Sequence, residues 1–300
     1  MHARSLVFLA LVACAEDAVP GAPIAPTDTP PATSTAAGRP PPAPADPAAE
    51  VARLVESRPA NGDAAFYPVE VYQRSAELGV GERAVLRFVF DRPMSTSEAS
   101  VEIAGALVEG AWQPDGRTLE VTLAGTEDAP PLAAETDHEV RLDRLRAATN
   151  AAVEPAQIRF RTAARDAVIE HACIHTLYGP FATATASARD GALAEAPLVA
   201  SVHRQWSVEL PAEGAAFAGQ VHVSFTGTGE RRYLLYLDGD VPVTLATEGG
   251  GLVDASTTMA PAACPGIQRV AAVTLGRGTS YRMAFGPAPS GRVKLIWEAQ

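Results

Sequence analysis

The 300-residue chain predicts an all-β protein, with two tandem β-sandwich domains following a signal peptide and a disordered Pro/Ala-rich linker. Two observations carry this. From residue 57 onward, short segments alternate apolar with polar residues at period two, and turn signals such as Asp115-Gly116 and Asp238-Gly239 separate them. Of the 25 prolines, ten fall between Ala15 and Glu50, so that stretch is set apart from the folded parts. The pattern divides the chain into residues 1–14, 15–56, 57–163 and 164–300. A hydrophobic fraction of 47% supports a core in each folded part.

Charge and composition exclude several functions. The net charge is −11, from 35 acidic and 24 basic residues, with no basic run, so a nucleic-acid phosphate backbone would repel the chain. Lys294 is the single lysine, which removes lysine-based covalent catalysis from consideration. No Gly-x-Ser-x-Gly elbow occurs, and Gly249-Gly250-Gly251 opens no helix that would cradle a phosphate. The expectation is therefore a protein that is not an enzyme.

The N-terminus places Arg4 before the apolar run Leu6–Ala13 and then Cys14. A run this short reads as a secretory signal, since a membrane span needs ~20 apolar residues. Leu11-Val12-Ala13-Cys14 resembles the lipobox of bacterial lipoproteins. That resemblance implies cleavage before Cys14, lipidation of its thiol, and anchoring to a membrane through the lipid. At ~0.8 kcal/mol per buried CH₂, several acyl chains hold a protein to a bilayer essentially permanently. Ala15, where the family's inner-membrane retention signal has Asp, implies the outer membrane or the cell surface. From Ala15 onward, Pro30-Pro31 and Pro40-Pro41-Pro42 fix φ and remove backbone donors, so the segment reads as a semi-rigid spacer of ~3.1 Å per residue. Ala48 to Glu56 has the composition of a short helical turn before the first domain.

Within residues 57–163 the strand segments are Ala84–Phe90, Ser100–Ile103, Thr118–Leu123, His138–Leu142 and Gln157–Thr162. About seven strands in ~105 residues are the density of an immunoglobulin-type sandwich. The residues Arg58-Pro59-Ala60-Asn61-Gly62, Phe88–Met94, Pro114–Leu119, Leu132–Val140 and Ile158–Thr162 resemble the bacterial Ig-like domain of S-layer and other surface proteins, with His138 where that family carries tyrosine. The resemblance covers about a third of the chain and implies a spacer or adhesion-associated module without catalytic residues.

Residues 164–300 continue the alternation with eight candidate strands: Val168–His175, Gln205–Leu210, Gly219–Phe225, Arg232–Leu237, Val241–Leu245, Gln268–Leu275, Ser280–Phe285 and Val293–Trp297. Asp238-Gly239-Asp240 reads as a hairpin turn joining two of them. A sandwich or jelly roll follows. With 12 acids against 10 bases this part is nearly neutral and is the place for a specific contact, with a protein or carbohydrate ligand as the expected partner class.

Two chemistries compete at His171-Ala172-Cys173-Ile174-His175. On a strand, residues i, i+2 and i+4 share one face at ~6.6 Å spacing, so His171, Cys173 and His175 would stand in a row, and His203 and His222 could complete a site for zinc or copper. Alternatively, once Cys14 is lipidated, Cys173 and Cys264 are the two cysteines left in an oxidising compartment, which favours a disulfide between them and no cofactor. The leading expectation is a lipid-anchored envelope or surface protein acting as a structural or binding module, and the second is a zinc- or copper-binding envelope protein.

Overall fold

The structure, a computed structural model, describes residues 51–75, 79–126 and 128–300. Cys14, the signal segment and the tether up to residue 50 lie outside the described residues. Residues 52–56, expected in the linker or in a helical turn, are instead part of strand β1 (Ala52–Arg58), which pairs antiparallel with β3 (Gly79–Phe90). Ala52 is fully buried and Leu54 packs on the core, which fixes the strand before the proline-rich composition ends its influence.

The first sandwich continues with β2 (Glu70–Ser75), β4 (Ser100–Ile103), β5 (Ala106–Glu109), β6 (Ala111–Trp112), β7 (Thr118–Gly125), β8 (Asp137–Arg141), β9 (Val153–Glu154) and β10 (Gln157–Arg161). One sheet runs β6-β7-β3-β1-β9 with β2 added against β3, and the facing sheet runs β10-β8-β4-β5. Strand β3 shows why the layers close: Ala84, Leu86, Phe88 and Phe90 point inward at period two while Arg83, Val85 and Arg87 point outward. Gly116 sits at φ +64° in the turn ahead of β7, the backbone conformation that the Asp-Gly pair supplies without strain. On the polar face Glu139 pairs with Arg141 and Arg159, as a solvated strand face should.

One position on β3 breaks the alternation. Glu82 is in phase with the core residues and is 4% exposed. Its carboxylate is answered by Arg165, which lies beyond β10 on the way to the second domain and forms a two-pronged pair with both oxygens, at 2.6 and 3.2 Å.

The second domain starts with helix α1 (Ala167–Tyr178), where the sequence predicted a strand. The alternation was misleading because the same residues satisfy a helical pattern: Ile169, Ala172 and Cys173, at i, i+3 and i+4, are the ones buried. Both ends are specified. Asp166 Oδ1 accepts from the amides of Val168 (2.9 Å) and Ile169 (3.3 Å), and Gly179, at φ +75°, returns its N–H to the carbonyl of His175 before Pro180 ends the helix.

The strands that follow are β11 (Phe181–Thr185), β12 (Gln205–Glu209), β13 (Ala212–Glu213), β14 (Ala216–Val223), β15 (Glu230–Leu237), β16 (Val243–Thr247), β17 (Leu252–Val253), β18 (Thr258–Met259), β19 (Arg269–Gly276), β20 (Tyr281–Ala288) and β21 (Arg292–Ala299). A six-stranded sheet, β11-β12-β21-β15-β19-β18, faces a five-stranded one, β13-β14-β20-β16-β17. The Asp238-Gly239-Asp240 turn is not a hairpin: β15 and β16 belong to opposite sheets, so the turn carries the chain across the sandwich. Trp206, Leu235, Leu295 and Trp297 point into the space between the sheets, with Trp297 edge-on to Phe225 at 5.5 Å.

Helix α1 covers the outer face of the six-stranded sheet and is itself covered by the first domain. Ile169, Ala172 and Cys173 pack with Leu234, Tyr236 and Ile296 of that sheet, with Ala263, Cys264 and Ile267, and with Tyr67, Val69 and Val71 of the first sandwich. The cysteines are joined, Cys173 to Cys264, 91 residues apart in sequence. Burial of a small residue at the helix–sheet contact brings its Cα within 5.7 Å of Cys264, inside the range a disulfide requires. The two domains therefore share a core built around one helix.

Candidate metal centre

The helical conformation changes which groups meet. On a strand His171, Cys173 and His175 would share a face; on a helix the i, i+4 pair His171 and His175 lies one turn apart, and Cys173 turns to the buried side. The histidine rings stand with their centroids 4.6 Å apart, edge to face. Cys173 is committed to the disulfide, so a thiolate ligand is not available there.

His203 joins them from the segment between β11 and β12. Its backbone is at φ +55°, left-handed and costly for a residue with a Cβ, and its N–H donates to the carbonyl of Trp297 at 3.0 Å, which pins the loop beside β21. Its ring centroid lies 5.0 Å from that of His171 and 5.7 Å from that of His175. His222 does not take part. It sits on β14 in the five-stranded sheet, on the far side of the sandwich from α1, paired in register with Arg282.

The fourth member is Glu298, which period-two reading of β21 left unremarked. It follows Ile296 by two residues and so projects from the same outer face toward α1, and its side chain is only 2% exposed. Oε2 lies 2.7 Å from His203 Nδ1 and 3.4 Å from His171 Nδ1, and Oε1 lies 4.0 Å from His175 Nε2. One donor atom from each of His171, His175, His203 and Glu298 falls within 4.8 Å of every other. Sequence offers one signal for Glu298: Ile296, apolar two residues earlier on the same outer face of the strand, marks that face as covered by another element, so an acid beside it has to be compensated.

The state of these atoms bears on what the site can hold. His175 Nδ1 donates to the carbonyl of Gly179 at 2.8 Å, which fixes the tautomer and leaves the lone pair of Nε2 directed at Glu298. That Nε2 and Glu298 Oε1 are both buried without a hydrogen-bond partner. Burial raises the Glu298 carboxyl pKa above its ordinary value, an effect opposed by the neighbouring His203 and His175. A protonated His203 alone would answer Oε2 and leave Oε1 and His175 Nε2 unsatisfied. A cation between them answers all four donors at once. Ligands ~2.0–2.1 Å from a tetrahedral metal lie about 3.4 Å from one another, within the spread seen here and reachable by small side-chain rotations.

Three imidazoles and one carboxylate form a borderline donor set that suits Zn²⁺ or Cu²⁺; without the thiolate the site loses the soft character that would select Cu⁺. The hydrogen bond from His175 to a backbone carbonyl is the outer support that such ligands carry. No known protein-family model matches the chain, and no curated protein matches it in sequence.

Proposed function

We propose that this chain is an exported, lipid-anchored envelope protein whose C-terminal sandwich binds a zinc or copper ion through His171, His175, His203 and Glu298. The observation that carries the metal reading is the pair of buried, unpartnered atoms, His175 Nε2 and Glu298 Oε1, facing each other across 4.0 Å inside a ring of two further imidazoles. In this reading the first sandwich is a spacer of Ig-like type, Cys14 is the lipidated anchor, and the Pro/Ala segment holds the folded part away from the outer membrane or cell surface. The disulfide supports an oxidising compartment, in keeping with export.

The metal reading now stands ahead of a purely structural or adhesive role, with a protein or carbohydrate ligand, because a simple spacer has no use for a buried carboxylate with one oxygen unpartnered beneath three histidines. Calorimetric titration of the mature protein with Zn²⁺ and with Cu²⁺ tests it: one ion per chain is expected, and an absence of saturable binding for both metals removes the reading. Anchoring is tested separately. Cys14→Ser should move the protein from the membrane fraction to the soluble fraction, and an unchanged distribution would discard the lipobox.

A further inference from the structure

We infer that the metal at this centre, held by four protein ligands, keeps a fifth coordination position open to solvent and takes a small anionic ligand there, so that the ion is exchangeable and reactive rather than a structural staple. The inference rests on the metal reading above and adds to it which side of the ion is free and what binds there.

The four donors differ in exposure. Glu298 forms the floor at 2% side-chain exposure and His175 stands beside it at 12%, whereas His171 and His203 form the rim, each 48% exposed. An ion held between this floor and rim would be reached by water from the rim side. Among the described residues, no fifth His, Cys, Asp or Glu belongs to the group. Closed structural zinc sites bury their ion among four ligands, whereas a solvent-exposed rim leaves room for a four-coordinate ion to expand to five and take an outer ligand.

The surrounding fold argues the same way. Structural metals serve where a core is too small to hold a segment. Helix α1 needs no such help: Asp166 caps it, the disulfide fastens its middle to Cys264, Arg165 ties Glu170 to Glu82, and Ile169, Ala172 and Cys173 are buried between the two domains. An ion here has little left to stabilise. Charge then selects the outer ligand. A divalent ion neutralised by a single carboxylate, that of Glu298, retains net positive charge, which favours an anion over a neutral molecule at the open position.

Cobalt substitution separates this inference from the one beneath it. The metal-free protein is loaded with one equivalent of Co²⁺, whose visible bands report coordination number and ligand set, and sodium azide is then titrated in. Saturable Co²⁺ binding at one per chain, followed by a saturable band shift with one azide per cobalt that reverses on dialysis, is the expected result. Saturable cobalt binding with a spectrum indifferent to azide would overturn the open position while leaving the metal site standing. No saturable cobalt binding would overturn both. The near-ultraviolet circular dichroism of the metal-free protein gives a second readout: an unchanged spectrum and an unfolding temperature largely retained are expected, and collapse of the fold on metal removal would mark the ion as structural.

Discussion

Replacing Arg165 with methionine should cost about 3 kcal/mol, because it strips the partner from two carboxylates that the fold has taken out of water. Arg165 gives NH1 and NH2 to Glu82 and Nε and NH2 to Glu170, and Glu170 also accepts from the Tyr67 hydroxyl at 2.8 Å. Glu82 is 6% exposed at its side chain, whereas Arg165 itself is 23% exposed. Breaking a buried pair by removing one partner costs ~3–5 kcal/mol, and the partial exposure of the arginine puts this case at the lower end. For a folded part of this size each 1 kcal/mol moves Tm by roughly 2–4 °C, so a drop of ~6–12 °C is expected in a thermal melt. A second variant makes the origin explicit: Arg165→Met combined with Glu82→Leu should recover at least half of the loss, since an apolar pair of similar volume replaces the buried charge. A single variant that melts within 1 °C of the parent, or a double variant no better than the single, would refute the claim that this pair joins the domains through a desolvated charge.

Three further outcomes follow from the same structure. Cys173→Ala/Cys264→Ala should lower stability by up to ~4.6 kcal/mol in urea unfolding, the chain-entropy value for a loop of this length, and an unaffected midpoint would mean that the staple constrains nothing in the unfolded chain. Asp166→Ala removes the acceptor for two helix amides and should cost ~1 kcal/mol, with Asp166→Asn retaining most of it. Burial raises the Asp238 carboxyl pKa, while Oδ1 accepts from the Lys294 amide at 2.8 Å. A carboxyl whose folded pKa is raised binds its proton more tightly when folded, so its ionisation costs stability as pH rises through and above the ordinary carboxylate range. Asp238→Asn keeps the acceptor and removes the charge, so its melting temperature should exceed the parent's at pH 7, the gap closing toward pH 4; a gap independent of pH would exclude this cause.

The all-β architecture was legible because both sandwiches obey the period-two rule along their long strands. Strand β21 places Val293, Leu295 and Trp297 inside, as the alternation requires. The helix was not legible by that rule, since in a segment such as Val168-Ile169-Glu170-His171-Ala172-Cys173 apolar residues satisfy both periods. The cues that discriminate were at its ends, in Asp166 and Gly179-Pro180, and not in its middle. That one misassignment decided the site. Once the segment is helical, His171 and His175 converge and Cys173 turns away. The metal set loses the thiolate and His222 and gains Glu298, which no local spacing connects to residues 123–127 positions earlier in the chain. Long-range strand placement brings it there, through the pairing of β21 with β12 and β15.

The most direct test of the proposed metal centre is Zn²⁺ affinity measured by competition with a chromophoric chelator, in the parent and in His175→Ala, Glu298→Gln and His222→Ala. The structure predicts that His175→Ala and Glu298→Gln each weaken binding by at least tenfold while His222→Ala leaves it unchanged, with all three folded by circular dichroism. Equal affinities across the four proteins, or a loss confined to His222→Ala, would contradict a site built on α1, the His203 turn and β21.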